Sequence, residues 1–143
     1  MRREIKTRLI RHITFLEAEL DDFPGFRSLS WEEYNKHRDK RRNVERWIEN
    51  IVNSSIDISK IILSSENIAI PDTYRGIVTS LSLVTGFYKE NVQRIAEWVR
   101  LRNIISHEYL DIRWGSINRF IQEAEAVYRD FLKSATVYIN KDL

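Results

Sequence analysis

The chain of 143 residues contains no cysteine, and this absence excludes disulfide bonds, zinc-thiolate sites and a cysteine nucleophile. It has only four glycines and two prolines, so few residues interrupt helices. No stretch approaches the roughly 20 apolar residues of a membrane span, and no apolar run follows Met1 as in a signal peptide. We therefore expect a cytoplasmic protein without a membrane partner.

The sequence also lacks a strong excess of positive or negative charge. The formal net charge is +2 and the isoelectric point is near 8.9, which permits contact with nucleic acid without requiring it. The sequence carries no phosphate-binding glycine loop and no Ser-His-Asp order, so it does not support those enzyme classes. The distribution of the basic residues is therefore more informative than their number.

The apolar residues recur at helical spacing along the whole chain, and no strand pattern is present. The length fits one domain, residues 1–143. Ser30 and Glu33 have the form of a capping box, and Gly86 is placed as the residue that ends the third helix. The pattern predicts an all-α, up-and-down bundle of five helices, at about 2–20, 30–64, 72–85, 89–107 and 112–139.

The most informative stretch is residues 102–109, at the end of the fourth predicted helix. Arg102 offers planar donors suited to phosphate oxygens, and His107 has a side chain that exchanges protons near neutral pH. Asn103 lies four residues before His107, so its amide can orient the imidazole. On a straight helix Arg102 and His107 are about 140° apart, so either the helix ends between them or a second protomer completes the site.

Arg102, Asn103, His107 and Tyr109 together resemble the active-site motif of the HEPN superfamily, most closely the HepT-type toxins of the HepT/MntA toxin–antitoxin pair. Other landmarks follow the same order over roughly residues 1–135. They are the segment 42–59, Pro71-Asp72-Thr73-Tyr74, Gly86-Phe87 and the helix after Asp111. Ser106 and Glu108 depart from the residues that are common at these positions of the family.

The resemblance implies a toxin that is a metal-independent endoribonuclease, with an RNA cleft between the two protomers of a homodimer. Arg102 and His107 would be catalytic and Asn103 would support them. It implies no cofactor and no metal. It also implies a nucleotidyltransferase antitoxin of the MntA type, which neutralises the toxin by transferring AMP from ATP to Tyr109 and can form a larger complex with it.

Several alternatives remain open from the residues alone. Arg102 and His107 near a helix C-terminus can simply interact with the helix dipole. The whole protein can instead be a non-catalytic helical subunit that docks a nucleotidyltransferase or presents nucleotide to it. A third interpretation is a structural dimer module, which leaves the polar residues 102, 103 and 107 without a role.

Other polar and aromatic groups are given simpler interpretations. The basic run 36–42 is interpreted as a solvated helix face, with an RNA-guiding strip as the alternative if its helix packs beside the fourth. His12 and His37 lack ligand partners at metal-binding spacing. Glu45 and Glu49 are interpreted as surface charges. The tryptophans are expected in the core or at a dimer interface rather than stacking on bases, with Trp114 as the candidate to watch; the four are Trp31, Trp47, Trp98 and Trp114.

Overall fold

The computed structural model describes residues 2–141, and within that range the chain is built from helices with no strand. This confirms the predicted all-α bundle. The helices are α1 (Arg3–Leu20), α2 (Phe23–Phe26), α3 (Trp31–Lys36), α4 (Arg38–Ser65), α5 (Tyr74–Thr79), a 3₁₀ turn (Ser80–Leu83), α6 (Lys89–Trp98), α7 (Leu101–His107) and α8 (Leu110–Asn140). None of the helices in the described range is long and apolar enough to span a membrane.

The three longest helices, α1, α4 and α8, pack against one another and form the centre of the bundle. The first and last predicted helices are confirmed within two residues at each end. On α1, the apolar residues spaced by three or four are the ones that are buried. Trp47 of α4 fixes the end of α1, because its indole Nε1 donates to the Glu19 carbonyl at 2.7 Å. Its ring packs edge-on against Phe23 and Phe120, so this tryptophan is a core residue as expected.

The second predicted helix begins where the sequence places it. The Ser30 hydroxyl accepts from the backbone N–H of Glu33, and the Glu33 carboxylate accepts from the backbone N–H of Ser30. This is the reciprocal capping box expected from the sequence. The Glu33 carboxylate also bonds Lys40 of α4, and that hydrogen bond and the one from Ser30 lower the pKa of the carboxyl group.

The prediction of one unbroken helix over residues 30–64 is wrong. His37 is extended, with φ −106° and ψ 99°, and separates α3 from α4. The carbonyl groups at the end of α3 would otherwise lack donors. Arg41 supplies them, because its Nη1 donates to the carbonyl oxygens of Tyr34 and Asn35 at 3.3 and 3.1 Å. A side chain from the next helix therefore compensates the break, a contact that helical periodicity does not reveal.

The break lets α3 fold back and bury Tyr34. This residue has no exposed surface, and its ring centroid lies 5.3 Å from that of Trp114 on α8. Its hydroxyl donates to the Glu45 carboxylate on α4. Burial and then this carboxylate raise the pKa of Tyr34, so the phenol stays neutral and remains a donor. Trp114 is half-buried by the contact, which makes it part of the packing rather than an open surface for a base.

The third predicted helix is shorter than expected. Thr73 caps α5 by accepting from the Gly76 N–H at 3.0 Å, and Ile77, Leu81 and Val84 are buried as predicted. The helix tightens into a 3₁₀ turn and ends at Leu83, since Val84 is already extended. Gly86 has the predicted left-handed conformation, with φ +99°, but it lies in the loop after the helix rather than capping it.

The fourth predicted helix is divided in two at residues 99–100, so the prediction of one helix over 89–107 is also wrong. There the backbone hydrogen bonds span three residues instead of four, from the Val99 N–H to the Ala96 carbonyl and from the Arg100 N–H to the Glu97 carbonyl. No glycine or proline causes this. The helix α6 packs on α5 and α8, whereas α7 packs on α4 and α8. Because the two halves have different neighbours, the tighter turn lets each half follow its own.

Replacing Tyr34 with Phe should remove the bond to Glu45 while preserving the buried ring. The carboxylate would keep only its longer contact with Arg113, so we expect the free energy of unfolding to fall by about 1–2 kcal/mol. Urea denaturation followed by circular dichroism measures this. The matched control is Tyr88→Phe, because Tyr88 is 76% exposed and its change should stay within about 0.5 kcal/mol. Equal stability of Tyr34→Phe and wild type would show that the bond contributes nothing.

Candidate active site

The predicted site residues lie on or directly after α7. Leu101 and Ile105 are buried and attach this short helix to the bundle, whereas Asn103, Ser106 and His107 are exposed. The helix ends at His107, because Glu108 is extended with φ −94° and ψ 161°. Arg102 and His107 therefore belong to one helix that does not end between them. The first of the two geometric solutions derived from the sequence, a helix that ends between these two residues, is therefore excluded.

The order of side chains around α7 explains how far these two groups are separated. At about 100° per residue, the exposed arc runs from Arg102 through Ser106 and Asn103 to His107, and then to Arg100 at the residue that precedes the helix. The Ser106 hydroxyl donates to the Arg102 carbonyl at 2.9 Å and is thus occupied within the helix. The other four side chains offer a cation, an amide, an imidazole and a second cation along one curved surface.

Arg102 lies in a groove that also contains Glu49 and Asn53 of α4 and Tyr74 of α5; we call it the Arg102 groove. The guanidinium carbon is 4.4 Å from the centroid of the Tyr74 ring, within the range of a cation–π contact. This contact leaves the cation half-buried beside α4, and within residues 2–141 its donors form no hydrogen bond or ion pair. A planar guanidinium held in this way keeps its N–H groups available for phosphate oxygens.

His107 lies in a different groove, formed with Arg100, Asn103, Ile104 and Glu108; we call it the His107 groove. Asn103 lines both grooves and is the link between them. No hydrogen bond joins the Asn103 amide to the His107 ring within residues 2–141, so its orienting role stays a prediction. In a single protomer, Arg102 and His107 therefore line two neighbouring but separate grooves.

The side chain of Arg113 on α8 stabilises the turn that follows His107. Its Nε donates to the Glu108 carbonyl at 2.7 Å, and its Nη1 lies 3.4 Å from the Glu45 carboxylate. Since Glu45 also accepts from Tyr34, this carboxylate links the turn to both α3 and α4. Tyr109 follows the turn and is 82% exposed, with an extended backbone at the start of α8.

The interpretation of Glu45 and Glu49 as surface charges is wrong, because both side chains are partly buried. The Glu45 side chain is only 14% exposed because it serves the network described above. Glu49 lines the Arg102 groove and is half-buried. Glu45 contacts side chains of α3 and α8, and Glu49 lines a groove with α7, relations that spacing within α4 alone does not give.

The basic run 36–42 is largely occupied by local contacts, as its interpretation as a helix face predicts. Lys36 pairs with Glu32 at 2.8 Å, and Lys40 pairs with Glu33. Arg41 donates hydrogen bonds to the carbonyl groups at the end of α3. The helix that follows, α4, does pack beside α7, which meets the condition set for an RNA-guiding strip. Arg38 and Arg42 are exposed and remain available for that role.

Neither remaining histidine belongs to a metal cluster. His12 lies between α1 and α4 beside Arg8 and Arg11, and His37 lies at the break between α3 and α4. The described part of the chain contains no group of three or more His, Cys, Asp or Glu residues able to hold a metal.

Sequence reasoning missed the places of Arg100 and Tyr74 in these grooves. Arg100 lies seven residues before His107, two helical turns away on the same side, and this spacing was a detectable signal. Tyr74 belongs to α5, some thirty positions before Arg102, and only the packed structure brings the two side chains together.

Comparison with models of known protein families shows which family the chain belongs to. The family model described as "Ribonuclease HepT-like" matches residues 8–135, nearly the whole chain. The chain belongs to this HepT-like family. The resemblance drawn from residues 102–109 is thereby confirmed. No curated protein matches the sequence.

Two solved structures share the fold of this HepT-like chain. One is a toxin–antitoxin structure with AMP-PNP, with a TM-score of 0.76 and 16% identity, covering 90% of this chain and 97% of the other. The second is a tri-AMPylated HEPN toxin of Shewanella oneidensis in complex with an MNT antitoxin. It has a TM-score of 0.77 and 16% identity, covering 90% of this chain and 96% of the other. At this identity the likeness concerns the fold alone.

Proposed function

We propose that this HepT-like chain is a cytoplasmic toxin that cleaves RNA without a metal, using Arg102 and His107. The observation that carries the proposal is the exposed arc of α7, where Arg102, Asn103 and His107 stand together on a polar surface within the segment that matches the ribonuclease family. An amphipathic helix in a bundle normally needs no such set of groups. Phosphate binding and proton transfer give each of them a role.

The chemistry that suits these groups is attack by the RNA's own ribose. His107 takes the proton of the 2′-hydroxyl, the 2′-oxygen bonds to phosphorus, and the bond from phosphorus to the 5′-oxygen breaks. The products are a 2′,3′-cyclic phosphate and a 5′-hydroxyl that has gained a proton. Arg102 offsets the charge that builds on the phosphate oxygens. General acid–base help of this kind typically contributes 10² to 10⁴ in rate.

A homodimer supplies what one protomer lacks. Because Arg102 and His107 open into separate grooves, a phosphate bound at Arg102 is better served by the imidazole of a second copy. Twofold symmetry then creates two equivalent sites.

Tyr109 is the proposed target of a nucleotidyltransferase antitoxin. Its phenol is 82% exposed directly after the His107 groove, so a second enzyme can reach it. The phenol oxygen attacks the α-phosphorus of ATP, pyrophosphate leaves, and one AMP stays attached through a phosphodiester. Each AMP adds one negative charge and a bulky nucleoside, which repel and block RNA. The AMPylated toxin and its MNT antitoxin among the structural neighbours support this proposal.

A second candidate function is a non-catalytic subunit that docks a nucleotidyltransferase. The observation in its favour is the position of Arg102, which stacks on Tyr74 and lines a different groove from His107. In that case the polar arc of α7 contacts the partner protein or its nucleotide. Formation of the complex by wild type without any RNA cleavage would favour this function over the ribonuclease.

Changing His107 to Ala should abolish cleavage of a labelled single-stranded RNA by protein expressed without a partner. The assay is run in EDTA with a DNA of the same sequence, which should stay intact because it lacks the 2′-hydroxyl. Wild type should leave 2′,3′-cyclic phosphate ends. The matched control is His37→Ala, since His37 is exposed at the break between α3 and α4 and should cut at the wild-type rate. Persistent cutting by His107→Ala would assign the activity elsewhere or to a contaminant.

Mixing Arg102→Ala with His107→Ala should restore activity if the site is shared between protomers. Random exchange makes half of the dimers mixed, and one of the two sites in each mixed dimer then has both groups. About a quarter of the wild-type rate should therefore return. If each site instead takes both groups from one protomer, the mixture stays as inactive as its components.

Co-expression with a nucleotidyltransferase antitoxin should increase the intact mass of the chain by one or more AMP groups. Tyr109→Phe should abolish the increase because it removes the attacking oxygen. Tyr88→Phe is the matched control, since Tyr88 is 76% exposed and lies apart from the motif. Unchanged modification of Tyr109→Phe would place the AMP on another residue.

A further inference from the structure

A basic groove adjoins the His107 groove on the side away from Arg102. Four arginines from different parts of the chain line it, and we call it the arginine groove: Arg75 of α5, Arg94 of α6, Arg100 before α7 and Arg119 of α8. All four side chains are exposed. Trp98, Leu101 and Ile104 contribute an apolar wall.

Acidic groups neutralise only part of the positive charge that these four arginines bring to the groove. Within the described residues, Arg75, Arg94 and Arg100 form no ion pair, and Arg119 pairs with Glu123 at 3.6 Å within α8. Glu97 is the other carboxylate in the groove. Four guanidinium groups thus share the groove with two carboxylates, which leaves the groove with a net positive charge. An anionic ligand would be attracted to it.

The arginine groove continues into the candidate active site. Arg100 and Ile104 line both the arginine groove and the His107 groove, and Asn103 connects the latter to the Arg102 groove. The three grooves are therefore adjacent around the exposed arc of α7, and each shares a lining residue with the next. The His107 groove is the middle one, with the Arg102 groove on one side and the arginine groove on the other.

We propose that the arginine groove binds the backbone phosphates of an RNA strand on one side of the bond that is cut. This inference rests on the proposed function. Any ligand that fills the arginine groove and extends past Arg100 meets His107, as an RNA substrate must. Each guanidinium offers a planar fork of donors that matches phosphate oxygens.

The distribution of the arginines also fits a flexible strand better than a small anion. They come from four segments and line an open groove rather than closing around one point. Successive phosphates of a single strand can contact successive arginines along such a surface, as in basic channels that bind single-stranded nucleic acid. Glu97 and Glu123 also line the groove, and Glu123 pairs with Arg119 at 3.6 Å.

The test uses His107→Ala as the starting protein, so that RNA is bound without being cut. Adding Arg75→Gln and Arg94→Gln should weaken binding of a single-stranded RNA roughly ten- to thirtyfold at 0.1 M salt. The slope of log affinity against log salt should fall by roughly 1.4, since each phosphate contact of a single strand contributes about 0.7. Fluorescence anisotropy at several salt concentrations measures both. Replacing the same two arginines with Lys should keep the salt slope, because the charges remain.

The charge-matched control is Arg3→Gln with Arg46→Gln, two exposed arginines outside the three grooves, which should leave both quantities unchanged. Equal loss in this control would reduce the effect to net charge and overturn the inference. Unchanged RNA affinity in the Arg75 and Arg94 variant, with loss of binding to an acidic protein partner instead, would also overturn it.

The same proteins separate this inference from the proposed function. If wild type cleaves RNA and the Gln variant binds RNA as well as its parent, the function stands and the arginine groove does not. If wild type fails to cleave but RNA binding depends on Arg75 and Arg94, the groove stands and the ribonuclease proposal fails. If wild type neither cleaves nor binds RNA, both are overturned.

Discussion

The carboxylate of Glu45 is the constraint on which the arrangement of the site depends. It accepts from the buried Tyr34 hydroxyl and lies 3.4 Å from Arg113, which in turn bonds the carbonyl of Glu108. One half-buried anion thus fixes the return of α3, the start of α8 and the turn that ends α7. Removing one partner from a buried charged network typically costs more than the pair itself contributes, because the remaining charge stays desolvated. The position of His107 therefore depends on residues that never approach a substrate.

Local rules explain what the sequence predicted well. The capping box at Ser30 and the apolar spacing of α1 and α8 depend on neighbours within one turn, and the structure has them where expected. The breaks at His37 and at residues 99–100 depend on tertiary contacts. The first is compensated by Arg41, and the second follows from the different neighbours of α6 and α7. Neither place contains a proline or glycine that would have signalled an interruption.

The same distinction applies to the candidate site. Arg102, Asn103 and His107 could be predicted as site residues because a family motif is a local pattern. Tyr74 and the arginines at 75, 94 and 119 were missed, because three separate helices bring them to α7 only after folding. The position of Arg100 could be predicted only in part. Its spacing of two helical turns from His107 is visible in the sequence, but its place between two grooves is not. Surface chemistry assembled from several helices is thus the part of this protein least visible in its sequence.

The position of Tyr109 has an electrostatic consequence for the fold itself. Its backbone stands at the N-cap of α8, a helix of 31 residues, and its side chain makes no capping hydrogen bond. The first N–H groups of such a helix carry a partial positive charge, and nearby anions stabilise it by about 0.3–1 kcal/mol at exposed positions. A phosphodiester attached to Tyr109 would thus stand at the favourable end of the longest helix. The charge that repels a polyanionic substrate would at the same time be compatible with, and even favour, the folded bundle that carries it.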